Sequence, residues 1–541
     1  MPIRIRKDKT PKTNSRGSSN SGKNRNTRNT GGGSGISVGM IASLAPMAIN
    51  LFRKNPKIGI VIVILTIVGF FLFSSGNSGG GSSNNNGQSD NEQYQDNGQI
   101  DNYRTGMEMD DEIYDRAEVY EPLAANSKNI LPMKVSLKSY CPTRKNQGSQ
   151  GSCVGWASAY AARTILYARQ TGKDPNDAAF SPSYLYNQIA LTGCQGSYLQ
   201  NAMETMKRSG VAPLSEFSYT EKNCSKKPNI SQKELASQFK TRGFQRLSID
   251  GNNYKTNLQA IKQNLAQGAP VVIGMMVGGT FMNKMNGQKI WSPTQRDRNS
   301  IKSFGGHAMC VIGYDDNLNG GSFQIMNSWG TRWGDDGTFY VSYKDFQYFN
   351  REAYGLYPMG TSEKTDPNKM SASIGLVYNS SASNIDLKYQ GGITFKTKSP
   401  IKMDTDFKVE VTNSVECYVY VFGEETDGSN YVLFPYTSKH SPYCGITGTR
   451  VFPRGYSMYA DDLGTTDRMA VIVSKEKLDY GKYSSAITKA SGYTYEQKVK
   501  NALKNILVDN IDFKGGKTFS FECDVTSKNS VAIIIEIDKS N

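Results

Sequence analysis

Two histidines, His307 and His440, and eight cysteines are all that the chain offers for chemistry between a thiol and an imidazole. One cysteine stands apart. In residues 147–156, QGSQGSCVGW, Cys153 falls where a Gly/Ser turn gives way to the helix-forming run 157–169, ASAYAARTILYAR. The unpaired N–H groups and dipole of a helix start favour a thiolate there, and a thiolate is a nucleophile for carbonyl carbon. Gln147, six residues earlier, is placed to offer a side-chain amide to a developing oxyanion. In residues 305–315, GGHAMCVIGYD, His307 enters an apolar strand from a Gly–Gly turn, where a ring can be held rigidly as a base. In residues 323–343, FQIMNSWGTRWGDDGTFYVSY, Asn327 follows another apolar strand. Its side-chain oxygen can accept a hydrogen bond from one ring nitrogen of His307 and fix the tautomer, with Trp329 covering that bond from water. His440, in the loop YTSKHSPYCG, reads as an ordinary surface residue, and Cys310 as a small buried hydrophobe.

These three runs, in this order, resemble the papain-like cysteine peptidases over residues 133–358. The resemblance implies Cys153 as nucleophile, His307 as base, Asn327 as orienting residue and Gln147 in the oxyanion hole, with Trp329 supporting. Residues 193–197, GCQGS, resemble the family's Gly-Cys-x-Gly-Gly segment, so Gly196 and Ser197, with Gly306 beside the base, are the expected substrate-binding backbone. There are departures. Val154 follows the nucleophile where many members have an aromatic residue. Gln150 stands where the family often has a disulfide cysteine, leaving Cys194 and Cys224 as the remaining halves of two family disulfides. The expectation is that these two pair with each other, with Cys417 and Cys444 a second candidate pair. The interval between Cys153 and His307 is longer than usual for the family, and the excess is placed in an enlarged loop at residues 282–303. The family's long helical inhibitory propeptide is not recognisable before residue 133. The expectation is no zymogen step, the alternative being that the acidic stretch supplies one differently.

The elements that must hold these residues imply an α+β fold: a two-lobed peptidase with a helical lobe and a β-barrel-like lobe. Residues 373–541 follow as a β-rich, sandwich-like accessory domain. Its strand signals are the alternating runs 407–411, 418–422, 431–434, 469–473, 519–523 and 531–537, with one helix at 495–507. Residues 431–435 (YVLFP) and 463–474 (LGTTDRMAVIVS) resemble a bacterial domain of unknown function attached to peptidases. No chemistry-bearing cluster is visible there, so a protein partner is the expectation for this domain.

Charge and hydropathy set the context. Of the net charge of +15, residues 1–57 hold +11, so the basicity belongs to one tail and no nucleic-acid-binding face is expected. Residues 1–35 read as disordered, and 36–52 as an apolar segment interrupted by Pro46 and Asn50. Residues 58–73, IGIVIVILTIVGFFLF, carry no charge and extend through Ser75 to a transmembrane length. A cleaved signal peptide and a buried core segment are the competing readings. The expected topology is a single-pass signal anchor with the N-terminus cytoplasmic and the peptidase periplasmic or extracellular. Residues 76–132 read as a flexible linker with an acidic lead. No Cys-x-x-Cys pair is present, and neither a metal nor an organic cofactor is expected. The sequence therefore predicts a membrane-anchored cysteine endopeptidase acting on protein or peptide substrates. The alternative is a catalytically silent peptidase fold used for tethered binding.

Overall fold

A computed structural model of the chain describes residues 3–8, 103–249, 255–357 and 368–540. The apolar segments 36–52 and 58–75, and the linker up to residue 102, lie outside the described residues. Among the described residues no helix is long and apolar enough to cross a membrane.

The strands are numbered in chain order as β1 (Ile3–Lys7), β2 (Met107–Glu108), β3 (Lys134–Ser136), β4 (Ser197–Tyr198), β5 (Gly243–Arg246), β6 (Val271–Val277), β7 (Ile290–Trp291), β8 (Gly305–Asp315), β9 (Ser322–Met326), β10 (Thr338–Ser342) and β11 (Asn350–Tyr357). The peptidase-like region is built on a sheet of order β5–β11–β6–β8–β9–β10–β7, with β3 added to β8. Its inner strands read as unbroken apolar runs because both faces are covered: every residue of β9 and all but one of β6 are buried. A continuous helical run over residues 153–171, π-wound between Trp156 and Arg163, packs against this sheet. Two further helices complete the helical side. Pro182–Ile189 starts on Ser181, whose hydroxyl accepts from the Tyr184 N–H. Leu199–Ser209 buries Leu199, Ala202, Met203 and Met206 on one stripe. It stops at Gly210, whose φ of 75° and a Cβ position 1.9 Å from the Ala236 oxygen admit only glycine. Cys194 and Cys224 are joined as a disulfide, as expected.

The C-terminal region is two packed sheets. One holds Lys369–Tyr378, Asp406–Asn413, Tyr456–Ala460 and Phe519–Asp524. The other holds Cys417–Glu424, Thr466–Ser474 and Ser530–Ser540 at its centre. Between them lie Ile374, Leu376, Val409, Val411, Val419, Val421, Val471, Val473, Ile533 and Ile535, the alternate positions of these strands. The opposite face of the second sheet carries Tyr420, Phe422, Ala470, Ile472 and Ile534, and the helices Tyr480–Lys489 and Tyr495–Leu503 cover it. This second layer explains why those strands are apolar on both faces. The expected helix at 495–507 is thus shorter and has a companion. Cys417 and Cys444 face each other across paired strands but are both free thiols.

Three expectations change. Residues 3–7, read as part of a disordered tail, form β1 on the edge of the first C-terminal sheet, paired with Tyr456–Ala460. The alternation Ile-Arg-Ile-Arg supports a strand only once an edge is available. Residues 103–132, read as the end of a linker, are ordered, with Met107, Tyr114, Ala117, Val119, Tyr120 and Leu123 buried. Those apolar residues follow no period because their partners belong to two different domains. The expected enlarged loop at 282–303 contains β7 and the short helix Gln295–Asn299, stapled by Asp297 to Thr280 and Thr294.

The last strand ends in a buried charge cluster. Lys539 Nζ lies 2.6 Å from Asp461 and 2.8 Å from Asp467, all three side chains at 2% exposure or less. Burial pushes the Asp467 carboxyl up to about 6, with the Lys539 hydrogen bond opposing it. Removing the ammonium leaves uncompensated buried carboxylates, so Lys539→Met is expected to cost about 3–5 kcal/mol, measured as the shift in denaturant unfolding of the full chain.

Candidate active site

Cys153 opens the first turn of the 153–171 helix and is fully buried, as is His307 near the start of β8. The backbone N–H of Ala308, next to the base, points at the Cys153 sulfur at 3.4 Å. Asn327 follows β9. Its Oδ1 accepts the Ser328 backbone N–H at 2.7 Å, which identifies that atom as the oxygen. The same oxygen lies 2.7 Å from His307 Nε2. Nε2 must therefore be the donor, which leaves His307 Nδ1 as the nitrogen with a free lone pair. Nδ1 has no hydrogen-bond partner among the described groups. Trp329 stacks on the imidazole with ring centres 4.4 Å apart, covering the bond to Asn327.

Gln147 is held from both ends of its amide: Oε1 accepts from Ser328 Oγ at 2.7 Å, and Nε2 donates to the Gln150 carbonyl at 2.9 Å. One Nε2 hydrogen is left over for an incoming oxygen. Sequence reasoning missed Tyr219. Its hydroxyl donates to the Gln147 carbonyl at 2.6 Å and lies 2.7 Å from Ser152 Oγ, so it ties together the turn that carries Gln147 and Cys153. It works where Gln150 replaces the cysteine that would otherwise anchor this turn. Only the fold brings residue 219 there, and no sequence pattern marks it.

The other missed feature is the occupant of the cleft. Residues 103–109 run across the expected substrate-binding surface. Tyr103 stacks on Trp329 at 4.8 Å, and the Arg104 carbonyl accepts from Trp329 Nε1 at 3.0 Å. Gly106 then donates to the Gly306 carbonyl at 3.2 Å and accepts from the Ser197 N–H at 3.0 Å. β2 continues parallel to β4, with Met107 opposite Ser197. A Cβ on Gly106 would lie 2.2 Å from the Gly151 oxygen, and one on Gly196 would lie 2.8 Å from the Gly106 oxygen. The strap therefore passes between glycine backbones at van der Waals distance. Met107 fills an apolar pocket against Gly274 and Leu199. The three expected substrate-binding residues, Gly196, Ser197 and Gly306, thus all touch this chain's own Gly106. Because the Gly106 oxygen is bound to Ser197, it is not offered to Gln147, and the strap sits as a plug and not as a peptide poised for attack.

This cover dominates the electrostatics. Burial pushes the Cys153 thiol up to about 12, against weaker help from the backbone N–H groups of Ala308, Val154 and Cys153. The helix start alone does not yield the thiolate expected from the sequence. Burial likewise takes His307 down to about 4, with the Asn327 hydrogen bond opposing. The pair is neutral and dry in this conformation. His440, expected at the surface, is buried beside residue 119, 3.0 Å from Thr437 Oγ1.

Comparisons with known proteins bear on this arrangement. Residues 132–359 match the family model described as papain family cysteine protease. An uncharacterized peptidase C1-like protein of Acanthamoeba polyphaga mimivirus is 29% identical over 209 residues, covering 37% of this chain and 64% of that protein. Cysteine proteinase 3 of Entamoeba histolytica is 27% identical over 215 residues, covering 39% of this chain and 63% of that protein. Cathepsin K of Mus musculus is 28% identical over 208 residues, covering 37% and 56%. Among solved structures, xylellain, a cysteine protease from Xylella fastidiosa, is similar at 24% identity, with 48% of this chain and 96% of that chain covered and a TM-score of 0.39. The matched segment spans less than two thirds of the length of each of these curated relatives. With the motif order, the helix-borne cysteine and the Asn-oriented histidine in place, residues 132–359, under half of this chain, are similar to the papain family of cysteine proteases.

Proposed function

We propose that this protein is a cysteine endopeptidase held latent by its own residues 103–109. The observation that carries the peptidase reading is the His307 ring, donating from Nε2 to Asn327 and left bare at Nδ1, with the next residue's backbone N–H 3.4 Å from the Cys153 sulfur. With the cleft open, Nδ1 takes the thiol proton and the Cys153 thiolate attacks the carbonyl carbon of a peptide bond. The leftover Gln147 Nε2–H and the Cys153 backbone N–H hold the oxyanion. The imidazolium gives its proton to the leaving amine. Water, deprotonated by His307, then hydrolyses the thioester and regenerates the thiol. Cys153→Ala is expected to abolish both peptide cleavage and labelling by an epoxide thiol inhibitor. His307→Ala should lower the cleavage rate by on the order of 10³-fold or more. Absence of cleavage and of labelling in wild-type protein whose cleft has been opened would establish the silent, binding-only reading instead.

Latency is supported by the complete burial of Cys153 beneath the strap. It also gives the pH dependence a sign. The covered His307 has a pKa near 4, below its ordinary 6.5, and exposing the ring returns it toward that ordinary value. The open form therefore binds the proton more tightly. Acid favours opening between pH about 6.5 and 4, by at most about 1.4 kcal/mol per pH unit, and this contribution is absent above that range. The lag before full-length protein cleaves a peptide at pH 6 should be shorter after incubation at pH about 4.5 than at pH about 7.5. Equal lags would remove His307 from the control of opening.

The proposed site of action is the outer face of a cell membrane, with residues 58–75 as tether; the uncharged run and the preceding cluster Arg53, Lys54 and Lys57 support this. Within one copy of the chain, a single crossing and the pairing of β1 with Tyr456–Ala460 are alternatives, because paired strands share one side of the bilayer. Protease added to intact cells should remove the peptidase and spare an N-terminal tag. Removal of both would place residues 3–7 outside, with the sheet they pair with.

A further inference from the structure

The segment that follows the strap is not held by the peptidase alone. Residues 118–120 lie as an extended piece between the two domains. On the peptidase side the Arg246 N–H donates to the Glu118 carbonyl at 3.0 Å, and the Tyr120 N–H to the Arg246 carbonyl at 3.1 Å. On the other side the Val119 N–H donates to the Lys439 carbonyl at 2.7 Å, and the Ser441 N–H to the Val119 carbonyl at 3.0 Å. One short strand thus joins the edge β5 to a loop of the C-terminal domain.

Its carboxylates repeat every third position and meet basic groups, most of them from the C-terminal domain. Asp115 pairs with Lys439 at 2.9 Å and with Arg246. Glu118 meets Lys477 at 2.5 Å and Ser441 Oγ at 2.9 Å. The Glu121 side chain meets Arg454 at 3.3 Å, and its carbonyl accepts from the fully buried Arg450 at 3.0 Å. Further along, the Ala124 N–H donates to the Thr449 carbonyl at 2.8 Å, and Asn129 brackets Thr449 through both its N–H and its carbonyl. The Lys439 hydrogen bond holds the Asp115 carboxyl below its ordinary value, with the Arg246 hydrogen bond adding to this.

We propose that the C-terminal domain is the receptor for this acidic segment, and that by binding residues 115–129 it clamps the strap in the active-site cleft. The proposal rests on the latency reading above. The five residues 110–114 between strap and clamp contain the short helix Asp111–Tyr114, whose Tyr114 ring packs edge-on against Tyr354. They leave little slack, so release of the clamp loosens the strap, whose own contacts are backbone hydrogen bonds, the Met107 side chain and the Tyr103 stack on Trp329 with its hydroxyl bonded to Asn286. Closing the strap is then an intramolecular binding event whose effective concentration the clamp sets. The face carrying Lys439, Ser441, Arg450, Arg454 and Lys477 takes a peptide with carboxylates at every third residue, and its occupant here is the chain's own residues 115–121, a helix-terminal turn leading into the extended piece 118–120.

The test is the rate at which an epoxide thiol inhibitor labels Cys153 in the full chain at pH 7.5. Wild type, Gly106→Val, Lys439→Glu with Lys477→Glu, and the charge exchange Glu118→Lys with Lys477→Glu are compared. Gly106→Val drives a side chain into the Gly151 carbonyl and expels the strap directly. It should label at least tenfold faster than wild type. The double charge reversal should label about five- to fiftyfold faster, and the charge exchange should return to within about threefold of wild type, which a merely misfolded variant would not. Rapid labelling of Gly106→Val with wild-type rates in the charge-reversed protein would overturn the clamp and leave latency standing. Wild type labelling as fast as Gly106→Val would overturn latency, and the clamp with it.

Discussion

Everything in the active-site region depends on the close passage of one glycine backbone across others. Gly106 lies against Gly151, Gly196 and Gly306, and no side chain fits at the points of contact. With this crossing in place Cys153 and His307 are fully buried. The result reverses the balance that the helix start would set: desolvation outweighs the backbone N–H groups aimed at sulfur and leaves a neutral thiol beside a neutral imidazole. The residues proposed for catalysis are already brought together in this state. Asn327 fixes the histidine tautomer, Ser328 and Gln150 fix the Gln147 amide, and Trp329 seals the outer side. What the cover withholds is charge separation and substrate access.

The strap, the acidic segment and the C-terminal domain form one mechanical series. The strap binds through backbone hydrogen bonds, the glycine at 106, the buried Met107 and the Tyr103 stack on Trp329, a short set of contacts. Residues 115–129 add ion pairs and a shared strand, and the buried Arg450 adds hydrogen bonds to Glu121, Asn413 and Ile446. Partly exposed pairs such as Glu118 with Lys477 contribute modestly each, on the order of a few tenths to 1 kcal/mol. Their number and the buried backbone bonds around them give the clamp its hold. A domain without a chemistry-bearing cluster of its own thereby acquires a role in governing a cysteine far along the chain.

The sequence by itself determined which residues are proposed to carry the chemistry. Cys153 after a Gly/Ser turn, His307 at the head of an apolar strand, Asn327 after the next strand and Gln147 six residues before the nucleophile are each set by short-range context. A helix start, a strand entry and a turn are local structures, so types and spacing sufficed. The apolar runs of the C-terminal domain likewise announced strands, because alternation is a local property. The Cys194–Cys224 pairing followed from the family resemblance, once Gln150 was seen in place of a cysteine.

Only the tertiary structure decided whether that chemistry is open or closed. Residues 103–132 carry apolar groups without a period, since Met107 is buried by the peptidase, and Tyr120 and Val119 by the seam between two domains. A segment stabilised by surfaces more than a hundred residues away leaves no local signature and reads as linker. The same holds for Tyr219, brought to the Gln147 turn by the chain's long-range path, for His440, buried by the clamp, and for β1, which needs an edge at Tyr456–Ala460 before Ile-Arg-Ile-Arg is a strand. Local sequence fixes what a residue can do, and long-range packing sets the water, charge and partners that govern when it does it.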